Sequence, residues 1–198
     1  MASSFEIKST RPSVGETIVT IVRDHIDYRK QIFKLAGSDL RRTYRASALG
    51  WSWAIIKPLV TIFVYWFAFA IGLRRGGDIE GYPFVLWLIS GIVPWFYMSE
   101  MLTLGTECIL RNRYLVTKMK YPVSTIPTFT SISKFSVHLI LMMITILIFV
   151  ITGNELTIYL VQLPFYMLCN FLFFTGWAMF AAVSYTHLRA HETCADLV

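Results

Sequence analysis

Charge is scarce in this 198-residue sequence: Asp, Glu, Lys and Arg make up 15% of it, against about 25% in a soluble domain. The charged residues are also crowded into short segments, leaving long stretches almost free of them. At 56% apolar and 16% aromatic the chain is not a disordered one. Cysteine is rarer still. Cys108, Cys169 and Cys194 form no CxxC pair and no metal-ligand spacing with histidine, so neither a disulfide framework nor a zinc site is indicated. No GxxxxGK[ST], GxGxxG or HExxH occurs, so the chain has no phosphate-binding loop of its own. Residues 1–17 are polar, and the apolar cluster Ile18 to Val22 is too short for a secretory signal.

Long apolar runs are what the sequence does have, and they predict an all-α, polytopic transmembrane helical bundle. Four spans are expected at about 51–73, 82–103, 127–152 and 158–182. Lys57 can snorkel from the start of the first span, and Pro58 falls in its first turns, where a missing donor costs little. Gly91 and Pro94 are placed to bend the second. Residues 1–50 read as a cytoplasmic or interfacial amphipathic region. Ile18, Val22 and Ile26 recur every four residues, as do Ile32, Ala36, Leu40 and Tyr44, with basic residues over much of the rest. Such a helix can lie among lipid headgroups; the plainer alternative is a surface helix of a soluble domain. Gly37-Ser38-Asp39 predicts a break there, with Ser38 or Asp39 capping a second helix.

Charge placement gives the orientation. Residues 1–50 hold nine Lys/Arg and the segment 104–122 holds four, against two in the turn after the first span and none at 153–157. The positive-inside rule then puts the N-terminus and 104–122 in the cytoplasm. The net charge of +6 is explained by this basic rim, and no nucleic-acid partner is required.

After Ala182 the character changes. Val183 to Val198 carries a burst of polar residues, including His187 and His191 at i, i+4 with Glu192 adjacent. That spacing could pass for a metal site on a helix. The string VSYTHLRAHET resembles instead one reading frame of a transposon-end adapter used in short-read library preparation. Residues 183–198 are therefore expected to be a non-native tail, with the native sequence stopping at Ala182 and continuing in a longer protein.

The strongest local signature is the run Ser38 to Pro58, SDLRRTYRASALGWSWAIIKP. Arg41, Arg42, Tyr44 and Arg45 can hold a helix at the headgroups, Gly50 allows a close turn, and Trp51 and Trp53 suit an interfacial anchor. This stretch resembles the N-terminal motif of the ABC-2 type permeases that export cell-surface polysaccharides. The likeness continues through YWFAF at 65–69, GIVPW at 91–95, KMKYP at 118–122 with Pro127, and Ser133-Lys134-Phe135 with His138. Within that group it is most similar to teichoic-acid translocation permeases, over about residues 25–182. The resemblance implies six spans, of which four are present, and a coupling segment at 104–122. It further implies a permease homodimer, two ABC ATP-binding partner subunits and a lipid-linked polysaccharide substrate in a bacterial cytoplasmic membrane. No cofactor is implied, and ATP hydrolysis would belong to the partner, so the chain is expected not to be an enzyme.

Candidate residues follow. Arg111, Asn112, Arg113, Lys118 and Lys120 are candidates for contact with the ATPase, or act only as topology determinants. Lys134, His138 and Thr145 share one stripe of the third span, with Thr130 a turn before. They either form a polar wall facing a glycan or lipid phosphate, or Lys134 snorkels and His138 bonds a neighbouring helix; the latter is favoured. Glu100 either pairs with a base of the amphipathic helix or faces a substrate entrance. Trp95 and Tyr97, beside the Pro94 bend, are the aromatics most suited to line a path. Two other classes stay open: a membrane-embedded enzyme acting on polyprenyl-linked sugars, for which Glu100 and Glu107 are thin candidates, and a drug or lipid exporter of the same architecture.

Overall fold

The computed structural model describes residues 13–45, 49–73, 76–79, 81–119, 121–153 and 157–195, the side chains of 190–195 excepted. Eight α-helices follow one another among these residues: α1 Val14–Asp27, α2 Arg29–Tyr44, α3 Trp53–Trp66, α4 Phe84–Glu100, α5 Thr106–Arg111, α6 Arg113–Met119, α7 Ile126–Ile151 and α8 Leu163–Ala195. Four continuous helical stretches are long and apolar enough to cross a membrane: Gly50–Gly72, Phe84–Met119, Val123–Ile151 and Ile158–Arg189. Large apolar side chains such as Phe63, Phe67, Leu147, Phe173 and Phe180 point outward from them. A surface of that kind suits hydrocarbon, where each helix must satisfy its own backbone groups.

The break expected at Gly37-Ser38-Asp39 does not occur. α2 runs straight through those residues, and the chain turns instead at Tyr28. Packing is the reason. Ile32 and Ala36 of α2 are buried in one apolar cluster with Cys108, Leu115, Ile126 and Phe129, and burial of this kind outweighs the ~1 kcal/mol that glycine costs inside a helix. At the actual corner the Tyr28 ring meets Tyr121 edge-on, centroids 5.4 Å apart. Burial raises the Tyr121 phenol above its ordinary range, so it stays neutral.

The helix of the second span continues past 103. A π-helical turn at Met101–Gly105 joins α4 to α5, and α5 is capped at Asn112 before α6 begins. Gly105 is what permits the close approach of α8 there, since a Cβ on it would stand 3.0 Å from the Ala178 Cβ. The fourth helix passes 182 without interruption and reaches Ala195. Pro58 and Pro94 lie within α3 and α4, and neither ends its helix. Arg74 and Arg75 lie outside the described residues, as does the Asn154-Glu155 part of the turn after α7; Gly153 before it takes a left-handed φ of 75°.

α1 is fastened to the start of the third span. The Ser124 hydroxyl donates to the Asp24 carboxylate at 2.9 Å. His25 donates from Nδ1 to the Ile21 carbonyl, and its Nε2 meets the Thr128 hydroxyl at 2.8 Å. The apolar row Val14, Ile18, Val22 and Ile26 is left outward and exposed.

Candidate functional site: an ion pair inside the bundle

Three helices present the same spacing toward one point. Ala54, Lys57, Pro58 and Thr61 on α3, Val93, Phe96, Tyr97 and Glu100 on α4, and Lys134, Val137, His138 and Leu141 on α7 line one cavity. Each set follows i, i+3, i+4, i+7, the spacing that keeps side chains on one helix face. The cavity measures about 200 Å³, and Tyr44 from α2, Trp53 and Ser99 complete its wall. Burial and the nearby Glu100 carboxylate raise the Tyr44 phenol above its usual range, so it remains a neutral donor.

At this wall the Lys134 amine faces the Glu100 carboxylate at 3.8 Å, with the Lys134 side chain 4% exposed and that of Glu100 38%. This corrects the favoured expectation: Lys134 does not snorkel. A buried ammonium has no route to water, and a carboxylate across the helix pair is the available compensation. The separation exceeds hydrogen-bond length, so the pair is held by charge alone. Glu100 pairs with α7 rather than with a base of the amphipathic helix.

His138 is 2% exposed and faces α4, where the Val93 carbonyl lies beside its ring, short of a well-formed hydrogen bond. It also packs against the Tyr97 and Phe135 rings. Thr130 and Ser133, on the same helix, carry buried hydroxyls without partners among the described residues. Thr130, Lys134, His138 and Thr145 are all buried on α7, Lys134 paired with Glu100 and Thr145 bonded to the Leu141 carbonyl.

Tyr97 and Trp95 do not share a path. Tyr97 is buried, and its hydroxyl meets Ser131 at 2.8 Å, which in turn meets Thr175 at 2.6 Å. Thr175 donates to the Phe171 carbonyl, which fixes the direction: Tyr97 donates to Ser131, and Ser131 donates to Thr175. This chain ties α4, α7 and α8 together. Trp95 points the other way, into an aromatic groove of about 480 Å³ with Tyr65, Phe69 and Trp87.

The basic corner is the other candidate. Arg111 and Arg113 are exposed on either side of the buried Asn112, whose amide donates to the Cys108 carbonyl at 2.9 Å. The Arg42 guanidinium sits 5.9 Å from the Tyr114 ring centroid, joining α2 to α6. Arg41, Arg45 and Lys118 are exposed, as are Trp51 and Trp53, and Lys120 lies outside the described residues. A small crevice lined by Asp39, Arg111, Asn112 and Lys134 puts this corner next to the ion pair.

Sequence reasoning missed the role of Lys57 as a cavity wall and the Ser131–Thr175 clamp. The repeat Ala54, Lys57, Thr61 is a helical-face signal for the first; a serine and a threonine amid apolar residues signal the second only weakly. Among the described residues no group of three or more His, Cys, Asp or Glu could hold a metal. His187 is exposed, and the side chains of His191 and Glu192 are outside the described residues.

Comparison with known proteins adds a family. The family model described as ABC-2 type transporter matches residues 30–192, ten residues beyond Ala182. An O-antigen export system permease protein RfbA from Myxococcus xanthus is 29% identical over 130 residues, 64% of this chain and 48% of that protein. A protein of the same name from Klebsiella pneumoniae is 28% identical over 93 residues, 47% of this chain and 34% of its own length. The chain thus spans about half or less of the length of the curated relatives it matches.

Proposed function

The chain belongs to the ABC-2 type transporter family, and on that footing we propose that it is the membrane-spanning permease part of an ABC exporter of cell-surface polysaccharide. The relatives' names supply the polysaccharide class; a lipid-linked, teichoic-acid-like polymer is the finer reading, resting on the motif resemblance. The N-terminus and the α5–α6 corner face the cytoplasm in this reading, as the distribution of Lys and Arg requires. Residues 1–50 form the interfacial region, 51–182 the membrane domain and 104–122 the coupling segment.

The observation that carries most weight is the ionic cavity between α3, α4 and α7. Ionisable groups inside a membrane bundle are costly, and they commonly mark the path of a polar substrate. The crevice between Asp39, Arg111 and Lys134 gives the cavity a neighbour at the basic corner. A homodimer of permeases with two ATP-binding subunits completes the machine. The partner docks on Arg111 and Arg113, and its closure on ATP displaces the corner. Because α5 continues α4 through the π turn, that displacement reaches Glu100. No covalent bond is broken by the permease.

The test is complementation. In a cell lacking the corresponding permease, the full-length protein restores surface polysaccharide when co-expressed with its ATP-binding partner. Restoration with an ATPase-dead partner, or none with an active one, overturns the reading. Arg111→Glu with Arg113→Glu leaves ATP hydrolysis running while export falls at least ~10-fold, the scale of one lost charged contact. Coupled export unchanged in that variant removes the corner from the mechanism.

A further inference from the structure

The geometry points to a phosphate-binding site in the cavity between α3, α4 and α7, where Glu100 stands in for the phosphate when none is bound. This rests on the export reading for its biological ligand, a phosphate-bearing lipid headgroup, but not for its chemistry. Lys134 supplies a buried ammonium with three donors, and its ionic partner is a carboxylate 3.8 Å away that makes no hydrogen bond to it. His138 lines the same cavity, its ring buried with only the Val93 carbonyl near it and no well-formed hydrogen bond among the described residues. Lys57 adds a second cation at the exposed side.

Two ammonium groups against one carboxylate leave the wall net positive, so an anion is the complementary guest. A tetrahedral phosphate fits a cavity of about 200 Å³, several times the ~30 Å³ occupied by one water. It can accept from the Lys134 ammonium at hydrogen-bond length, with Lys57 adding positive charge at the rim, which the carboxylate at 3.8 Å does not do. Glu100 is the half-exposed member of the pair. It can move toward water when the guest arrives, while Lys134 cannot. The carboxylate therefore holds the lysine charged and in place, and a phosphate displaces it.

The experiment uses the full-length protein in dodecyl maltoside, which contains no phosphate, titrated with dodecyl phosphate and separately with inorganic phosphate. Saturable binding to the wild type is expected. Lys134→Met weakens it about tenfold or more, the worth of one charge-assisted contact, while Glu100→Gln tightens it by a similar factor because the competing anion is gone. That gain cannot come from a misfolded variant. Tighter binding of dodecyl phosphate than of inorganic phosphate identifies a lipid headgroup as the source; equal binding identifies a free phosphate. No saturable binding of either probe, or weaker binding by Glu100→Gln, overturns the site. Neither probe needs ATP or transport, so binding without export removes the export reading alone, and export without binding removes the site alone.

Discussion

Lys134 and Glu100 are not equivalent partners. The lysine is almost wholly enclosed, the glutamate is more than a third exposed, and removing one or the other leaves different debts. Glu100→Gln strands a buried ammonium. Breaking a fully buried pair this way costs ~3–5 kcal/mol; with one end screened by solvent, about 1–3 kcal/mol is expected. Lys134→Met fills the same space without charge and leaves a carboxylate that water can reach, so its cost stays within about 1 kcal/mol. Thermal unfolding of the two variants in detergent checks the order. Equal losses would mean that the pair is less buried than it stands here.

Elements are held by small contacts at a few crossing points. Where α8 crosses the π turn, the Ala178 Cβ and the Met101 Cε lie 3.0 and 3.1 Å from the place a Gly105 Cβ would take. Gly105→Leu forces those helices apart and is expected to cost about 1–3 kcal/mol, read as a lowered midpoint in detergent; an unchanged midpoint refutes the close approach. α1 is held by the Asp24–Ser124 and His25–Thr128 contacts. Asp24→Ala with His25→Ala should cost about 1–3 kcal/mol for two hydrogen bonds. Amide exchange in residues 14–27 should then quicken, with the global midpoint little changed. Protection lost equally across α7 would instead make α1 part of the core. The same crossing points explain why two helix boundaries are hard to read. Gly37 is a break on local propensity, but Ile32 and Ala36 face α7, and tertiary packing decides. The π turn at 101–105 has no compositional mark, so the continuity of that helix past 103 is not legible.

For the whole molecule, the four spans are legible because runs with almost no charge have few other destinations than a membrane. The stripe Thr130, Lys134, His138 and Thr145 is legible too, from helical periodicity within one element. What the sequence does not carry is which helices face that stripe. The opposition of Glu100 to Lys134, and the sharing of one cavity by Lys57 and His138, depend on the register between α3, α4 and α7, and each of those residues has a plausible solvent or headgroup position when read alone. Family membership joins the parts: apolar helices, a basic corner and an ionic cavity are what the proposed permease role uses. The most direct test is translocation in proteoliposomes holding the full-length protein and its ATP-binding partner, with a fluorescent lipid-linked polysaccharide in the outer leaflet of inside-out vesicles. The account predicts ATP-dependent movement into the protected leaflet, reduced about tenfold or more by Lys134→Met, which removes one charge-assisted contact. Movement at the same rate without ATP, or none with ATP and a hydrolysing partner, would contradict it.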